Sequence, residues 1–373
     1  LSPEQARQVL DLKLPGINVQ REYRRYYPAS EVTGHLVGVT DIDDQGEEGL
    51  EHAFNHSLGG EAGATRVVKD SLGRSVENVA SISPPRHGKD LRTSIDLRIQ
   101  YLAYRSLKSA IRSHDAKSGS IVVLDVNTGE VLAMVNQPSY NPNDRSQLYP
   151  ERYRNRAITD IFEPGSSIKP LIVASALESG EYRPSSMVDT APGYVVVGPK
   201  KIEDSKNLGR VSLTTILARS SNVGVTKLAM TLQPDQLWGT MAQFGLGTLT
   251  ASGFPGESAG SLIPYNQWRP INQATLAYGY GVSVTPLQLA QAYAALGSNG
   301  ERHPISLVAL DMPNEGEHVV SKDTAVAIRR MLEEVVRPGG TGTKAAVPGY
   351  RVAGKTGTAW KFSTGGYSED EYI

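Results

Sequence analysis

The 373-residue chain contains no cysteine. Disulfides, thiol nucleophiles and thiolate metal sites are thereby excluded together. The absence also suits a protein that works outside the reducing cytoplasm. Long apolar runs are missing too: nothing approaches the roughly eighteen consecutive residues of a membrane-spanning helix. Charge of one sign is not in excess. Thirty-eight Lys and Arg face 39 Asp and Glu, a net charge of −1, which gives no global pull toward nucleic acid or an acidic membrane. The basic clusters Arg21 to Arg25 and Arg152 to Arg156 are interleaved with aromatic or acidic residues. They read as solvated or salt-bridged faces rather than nucleic-acid sites. No internal repeat, low-complexity segment or signal peptide is visible. The chain opens on Leu1 and stops abruptly at Ile373, so the expectation is a trimmed piece of a longer protein.

What is present is an ordinary globular composition, 39% apolar and 21% charged. The length suits one large domain or two ordinary ones. Residues 1–88 are polar and turn-rich after an opening stretch Leu1 to Leu14, with short strands expected at Arg66–Lys69 and Arg74–Val76 around Ser71-Leu72-Gly73. This part carries no catalytic constellation and reads as a pedestal or interaction module. From residue 89 the pattern changes. An amphipathic helix is expected from Leu97 to Ser113, then a hairpin of Ser120–Val126 and Glu130–Val135 about the turn Asn127-Thr128-Gly129. Helices follow at Val211–Leu217, Val223–Met230 and Pro286–Leu296, one more ends at Met331–Val336, and Tyr350–Ala353 leads a last strand into Gly354–Ala359. A hairpin, many helices, then a strand argue for an α+β domain in which helices cover an antiparallel sheet.

The chemistry centres on Glu163-Pro164-Gly165-Ser166-Ser167-Ile168-Lys169-Pro170, which runs into the apolar stretch Leu171 to Leu177. Ser166 and Lys169, three apart on a helix, share a face, so the amine can reach the hydroxyl. Pro170 is tolerated because the first four helical N–H groups have no intrahelical partner to lose. A serine there has a base at hand and a positive helix end behind it. A chain this long carries roughly one or two SxxK matches by chance, so the pair needs partners in order.

Two such partners follow. Lys355-Thr356-Gly357 lies downstream at the entry of the expected strand. It offers a positive charge, a hydroxyl for a carboxylate, and in Gly357 a bare backbone that a substrate can approach. Lys117-Ser118-Gly119 matches the same pattern but precedes Ser166 and simply opens the hairpin, as a solvated turn. The middle element has three candidates. Ser139-Tyr140-Asn141 precedes the nucleophile. Ser205-Lys206-Asn207 sits in a charged loop, 199–210, with nothing evident to fix its rotamers. Ser220-Ser221-Asn222 lies between two apolar helices, where packing holds Ser220 and Asn222 rigidly, as a proton shuttle requires. Asp160 and Glu163 are expected to anchor loops through Arg154 or Arg156. Tyr280 is either a cleft residue or a packed aromatic beside glycine turns.

The order SSIK, SSN, KTGT resembles the penicillin-binding proteins and serine β-lactamases. The surrounding text, Asn136 to Asn143, Arg154-Asn155-Arg156, Phe162 to Ser166, Ser220 to Val225 and Gly339 to Ala346, is similar to the class B, monofunctional transpeptidase branch. Within it the closest likeness is to the division-specific group, the penicillin-binding protein 3 type of Gram-negative bacteria. The likeness covers nearly the whole chain, including Arg24-Arg25-Tyr26-Tyr27-Pro28 and Gly49-Leu50-Glu51 of the pedestal.

The resemblance implies a transpeptidase domain of that family over 89–373 with an N-terminal pedestal or dimerisation-type domain over 1–88. It implies peptidoglycan D,D-transpeptidation in septal wall synthesis. Ser166 attacks the penultimate D-alanine carbonyl of a lipid II-derived stem peptide, and Lys169, neutral beside Lys355, takes its proton. Ser220 relays a proton to the departing D-alanine and Asn222 orients Lys169 and the substrate amide. Thr356 and Thr358 bind the terminal carboxylate beside Gly357, and the N–H groups of Ser166 and Thr358 form the oxyanion hole. A second stem peptide's amine resolves the acyl-enzyme, whereas a β-lactam leaves Ser166 acylated. No metal or cofactor is implied. A membrane glycosyltransferase and other division proteins are the implied partners, at the periplasmic face of the inner membrane. The family's membrane anchor, the start of its pedestal, and the strands and helix after the KTGT segment are expected to be missing from this chain. The rival readings are an elongation-type class B enzyme, a β-lactamase or β-lactam sensor, and a non-catalytic division scaffold.

Overall fold

A computed structural model describes residues 3–17, 25–69, 75–363 and 366–372. The opening stretch forms a helix at Pro3–Asp11, and β1 (Ala64–Lys69) pairs antiparallel with β2 (Ser75–Ser83). The turn expected between those strands, and the basic residues Arg21 to Arg24, lie outside the described residues.

Helix α1 (Leu97–Ser113) starts where the Asp96 carboxylate accepts from the N–H groups of Arg98 and Ile99. It buries Gln100, Ala103, Tyr104 and Leu107; of the apolar residues expected to form its inner face, Tyr104 and Leu107 do so, while Leu97, Tyr101 and Leu102 are exposed. The buried face covers the hairpin of β3 (Gly119–Leu124) and β4 (Val131–Gln137). Side chains alternate across the pleat. Ala133 and Val135 meet α1, while Met134 faces Ala157, Ile158, Leu287 and Leu307 on the other side. The hairpin is widened by residues 93–94 and 306–308, which bridge to it through Ser94 N–H to Leu307 O and Val131 N–H to Ser306 O.

Part of the N-terminal segment is built into this layer. Leu36 and Leu50 join the cluster around Met134. Tyr140 Oη donates to Gly34 O at 2.8 Å, and the Gln100 side-chain amide donates to Val32 O and Met134 O at 2.7 and 2.9 Å. Asn155 Nδ2 donates to His35 O.

The second and larger core is helical. Helix α2 (Lys169–Glu178) is apolar all round and lies at its centre. Around it are α3 (Leu213–Ala218), α4 (Asn222–Thr231), α5 (Pro286–Gly297) and α6 (Lys322–Val336). Ile168, Leu171, Ile172 and Val173 are each 0% exposed. Burying such side chains contributes about 1.5–3 kcal/mol apiece, so the nucleophile segment is moored by its own apolar neighbours. Two short strand pairs fringe this core: β5 (Met187–Asp189) with β8 (Arg210–Ser212), and the hairpin β6 (Tyr194–Val197) with β7 (Lys200–Glu203) nearby. A last hairpin joins Trp360–Ser363 to Gly366–Tyr372.

The α+β class stands, with every strand pair among the described residues antiparallel and two strands wide. Two local expectations are corrected. Val211 is in β8 rather than in a helix, because it pairs with Val188 and the helix begins only after Ser212 caps Thr215 N–H. Residues 351–359 do not form a strand. No neighbouring strand lies alongside them, and their tie to the body is Gly354 N–H to Leu332 O on α6. Among the described residues no helix is long and apolar enough to cross a membrane.

Candidate active site

Ser166 lies in a 3₁₀ turn, Gly165–Ile168, that runs directly into α2 at Lys169. Side chains three apart eclipse in a 3₁₀ turn, which brings Ser166 and Lys169 onto one side. Ser166 is half-buried at the surface of a cleft, and Lys169 is 0% exposed beneath it. The turn is held by its backbone. Ser167 Oγ donates to Pro164 O at 2.5 Å, and the partly buried Tyr293 of α5 donates its hydroxyl to Ser167 O at 2.7 Å. Gly165 has φ +53°, and a Cβ there would sit 2.5 Å from Thr358 O. Only glycine meets both demands.

Lys169 reaches away from this turn into the break between α3 and α4. Its Nζ donates to Ser220 O at 2.6 Å and to Asn222 Oδ1 at 2.7 Å, and lies 3.3 Å from Ser220 Oγ. Of the three serine–asparagine candidates, the structure therefore brings Ser220 and Asn222 to the lysine. No direct Ser166–Lys169 hydrogen bond is formed among these contacts, the amine being turned to the two carbonyl oxygens. Burial pushes the Lys169 amine well below the usual lysine range, the charge of Lys355 pushes it further down, and Asp204 opposes them. The shift favours the neutral amine, the form in which Nζ carries a lone pair that can accept a proton.

Asp204 is the residue that sequence reasoning missed. Its carboxylate accepts from Asn222 N–H and Ser221 Oγ, both at 2.5 Å, and from Val223 N–H at 3.1 Å. It thereby caps α4 from outside the helix, while Ser221 Oγ accepts from Gly224 N–H. The loop that seemed unfixed in sequence is the run after β7, and β7 packs on α4. Asn222 Nδ2 donates to Glu203 O, which sets the amide so that its oxygen faces Lys169. Ser220 is locked between these contacts at φ +56°, a left-handed conformation costly for serine.

Lys355 completes the chain of contacts. Its Nζ donates to Ser220 Oγ and to Thr356 O, both at 2.9 Å. Burial pushes its amine down to about 8. A continuous path thus runs from Lys355 through the Ser220 hydroxyl to Lys169. Thr358 lines the cleft with Ser166 and Ser220. Thr356 does not line it, and its hydroxyl pairs with that of Thr341 at 2.8 Å. A Cβ on Gly357 would point at Pro164 O, 3.4 Å away, and at Ser167. The bare backbone there faces the nucleophile turn instead of an incoming substrate.

The cleft holds about 500 Å³ and is also walled by Tyr278 and Tyr280, which stack edge-on at 5.5 Å. Tyr280 is therefore a cleft residue. Asp160 pairs with Arg154 and Arg156 as expected. Glu163 instead accepts from Gly281 N–H at 2.8 Å, because the 278–281 turn folds over the nucleophile turn. No cluster of metal-ligating side chains occurs among the described residues. A smaller crevice of about 40 Å³ between Tyr27, Thr40 and Arg145 carries none of these groups.

The arrangement suits acyl transfer: an uncommitted serine hydroxyl, a buried neutral amine, and a hydroxyl between two lysines. Residues 119–373 match the penicillin-binding protein transpeptidase domain, and residues 1–93 match the penicillin-binding protein dimerisation domain. The chain is 46% identical over its full length to the peptidoglycan D,D-transpeptidase FtsI of Escherichia coli K12, covering 63% of that protein. It is 40% identical to the probable peptidoglycan D,D-transpeptidase PenA of Neisseria meningitidis serogroup A, covering 64%. The chain thus spans a little under two thirds of the curated relatives it matches. A crystal structure of penicillin-binding protein 3 from Mycobacterium tuberculosis, complexed with aztreonam, superposes with a TM-score of 0.84 at 32% identity, over 94% of this chain and 79% of that one. With its fold, its domain match and its full-length relatives in agreement, the chain belongs to the penicillin-binding protein transpeptidase family, on the class B branch close to penicillin-binding protein 3.

Proposed function

We propose that this chain is the acylating part of a septal peptidoglycan D,D-transpeptidase, divided into a dimerisation-type segment over 1–88 and a catalytic domain over 89–373. The observation that carries the reading is the buried Lys169 amine, bonded to Ser220 and Asn222, which line one cleft with Ser166. Ser166 Oγ adds to the penultimate D-alanine carbonyl of a stem peptide as Lys169 Nζ accepts its proton. The N–H groups of Ser166 and Thr358 receive the oxyanion. Collapse breaks the peptide C–N bond, and the proton held by Lys169 passes through the Ser220 hydroxyl to the departing D-alanine amine. Attack by the amine of a second stem peptide then returns Ser166 and leaves the cross-link. Lys355 keeps a positive charge on the path, and Thr358 stands at the carboxylate end with Thr356 behind it, paired to Thr341. A β-lactam enters the first half of this cycle and stops there. In the whole protein a membrane anchor, a glycosyltransferase partner and action at the periplasmic face complete the reading.

The test is intact-mass spectrometry after incubation with a penicillin, on the parent and on Ser166→Ala. A lasting adduct on the parent that is lost in the variant supports the proposal. Rapid release of hydrolysed drug would make the protein a β-lactamase. No adduct on the parent would overturn the assignment of Ser166.

A further inference from the structure

One cation at the mouth of the cleft takes no part in the acylation path. Arg219 ends α3 immediately before the Ser220 turn, and its side chain is exposed and lines the cleft. It forms no ion pair among the described residues. Its guanidinium lies against the bare backbone of Gly339, where a Cβ would sit 3.4 Å from Nη2 and 3.9 Å from Cζ. The 339–341 turn is tied to the same helix end, since Thr341 N–H donates to Ala218 O at 3.2 Å. The Thr341 hydroxyl in turn pairs with that of Thr356. Arg219, Thr341 and Thr358 therefore share one end of the cleft.

Lys355 is nearby but committed. Both of its recorded bonds turn inward, to Ser220 Oγ and Thr356 O. Two exposed cations line the cleft, Lys206 and Arg219, and Arg219 is the one whose guanidinium lies against the 339–341 turn that an anion entering this end would meet. A guanidinium also presents paired N–H groups that match a carboxylate. Glycine at 339 answers to the backbone, which takes φ +94° there, while a Cβ would only reach ordinary contact with the guanidinium.

We propose that Arg219 is a carboxylate-recognition residue: with the Thr341 and Thr358 hydroxyls it holds the terminal carboxylate of the acyl donor and sets the preference for anionic donors. This rests on the reading of Ser166 as the acylated residue. The role is one of specificity, since Arg219 lies outside the chain of contacts that moves protons.

The test compares acylation of Ser166 by benzylpenicillin and by its uncharged methyl ester, followed by intact mass at low and high salt. The parent, Arg219→Gln and Arg219→Lys are measured side by side, with unfolding midpoints as a check on the fold. The free-acid to ester rate ratio should fall about 10-fold in the Gln variant, the order expected of a charged hydrogen bond at a solvent-facing site. The Lys variant should recover part of that ratio. High salt should lower the parental ratio and leave the Gln ratio where it is. A Gln variant with the parental ratio overturns the proposal, as does an equal slowing with both compounds. A parent acylated by neither compound would instead bring down the assignment of Ser166 itself.

Discussion

Replacing Asp204 separates the two jobs that its carboxylate does. Alanine removes the acceptor for Asn222 N–H, Val223 N–H and Ser221 Oγ at one stroke. Loss of a helix cap costs about 0.5–2 kcal/mol, and a hydroxyl and an N–H left without partners add a comparable amount. Asp204 is half-exposed, so water and salt screen its charge and the lower part of that range applies. A loss of about 2 kcal/mol is expected, read as an unfolding midpoint lowered by roughly 3 °C in a chain of this length. The effect on chemistry should be larger in proportion. Ser220 sits at φ +56° only because its neighbours are pinned. Released, it relaxes and carries the Lys169 contacts with it, for a fall in penicillin acylation of roughly 10–100-fold. Asparagine keeps one acceptor oxygen but no charge. Since the Asp204 charge opposes the lowering of the Lys169 amine, Asp204→Asn lowers that amine further. The neutral form then persists into more acidic solution, so the acid limb of acylation against pH moves down. The assay is the acylation rate constant across pH for the three proteins. An acid limb that moves up in the asparagine variant, or an alanine variant that acylates at the parental rate, would refute the reasoning.

The other charges and the turn geometry give predictions of opposite sign. Lys355→Gln removes a charge that holds the Lys169 amine down, so the acid limb should move up while the plateau rate drops. In the parent, Lys355 loses its proton as pH rises through about 8, and acylation should decline over that interval by a limb missing from Lys355→Gln. Gly165→Ala puts a Cβ 2.5 Å from Thr358 O at a positive φ. It should destabilise the protein by about 2–4 kcal/mol in a denaturant titration and abolish acylation even where the folded form persists.

The local parts of the site were legible in the sequence and the long-range parts were not. Ser166, Lys169, Ser220, Asn222 and Lys355 are marked by short spacings whose chemistry survives any rearrangement of the flanking loops. Helices α1 and α4 were equally plain, since the periodicity of their apolar residues is a local signal. Asp204 carries no such mark. It lies 17 residues before Ser221 and gains its role only when the hairpin β6–β7 folds against α4. The strand expected at Lys355 failed for a related reason: a strand needs a partner strand beside it, and among the described residues the backbone of 351–359 bonds to α6, at Gly354 N–H to Leu332 O, rather than to a strand. Val211 went to a strand because pairing with Val188 outweighed the apolar run that suggested a helix.

The nucleophile turn has a consequence for which substitutions the protein can accept. Gly165 N–H donates to Gly279 O, Cβ atoms on Gly279 and Gly165 would strike the Gly165 and Thr358 backbones at 2.0 and 2.5 Å, and Gly281 N–H is held by Glu163. Three segments remote in sequence thus interlock through close main-chain approach and one carboxylate, that of Glu163. Drug-selected variation is free to change what faces the cleft, such as Tyr280, Thr341 or Arg219, without moving the serine. The glycines beneath them have no such freedom. A saturation scan under β-lactam selection should therefore read as a ring of permissive positions around a few silent ones at which only glycine is ever recovered.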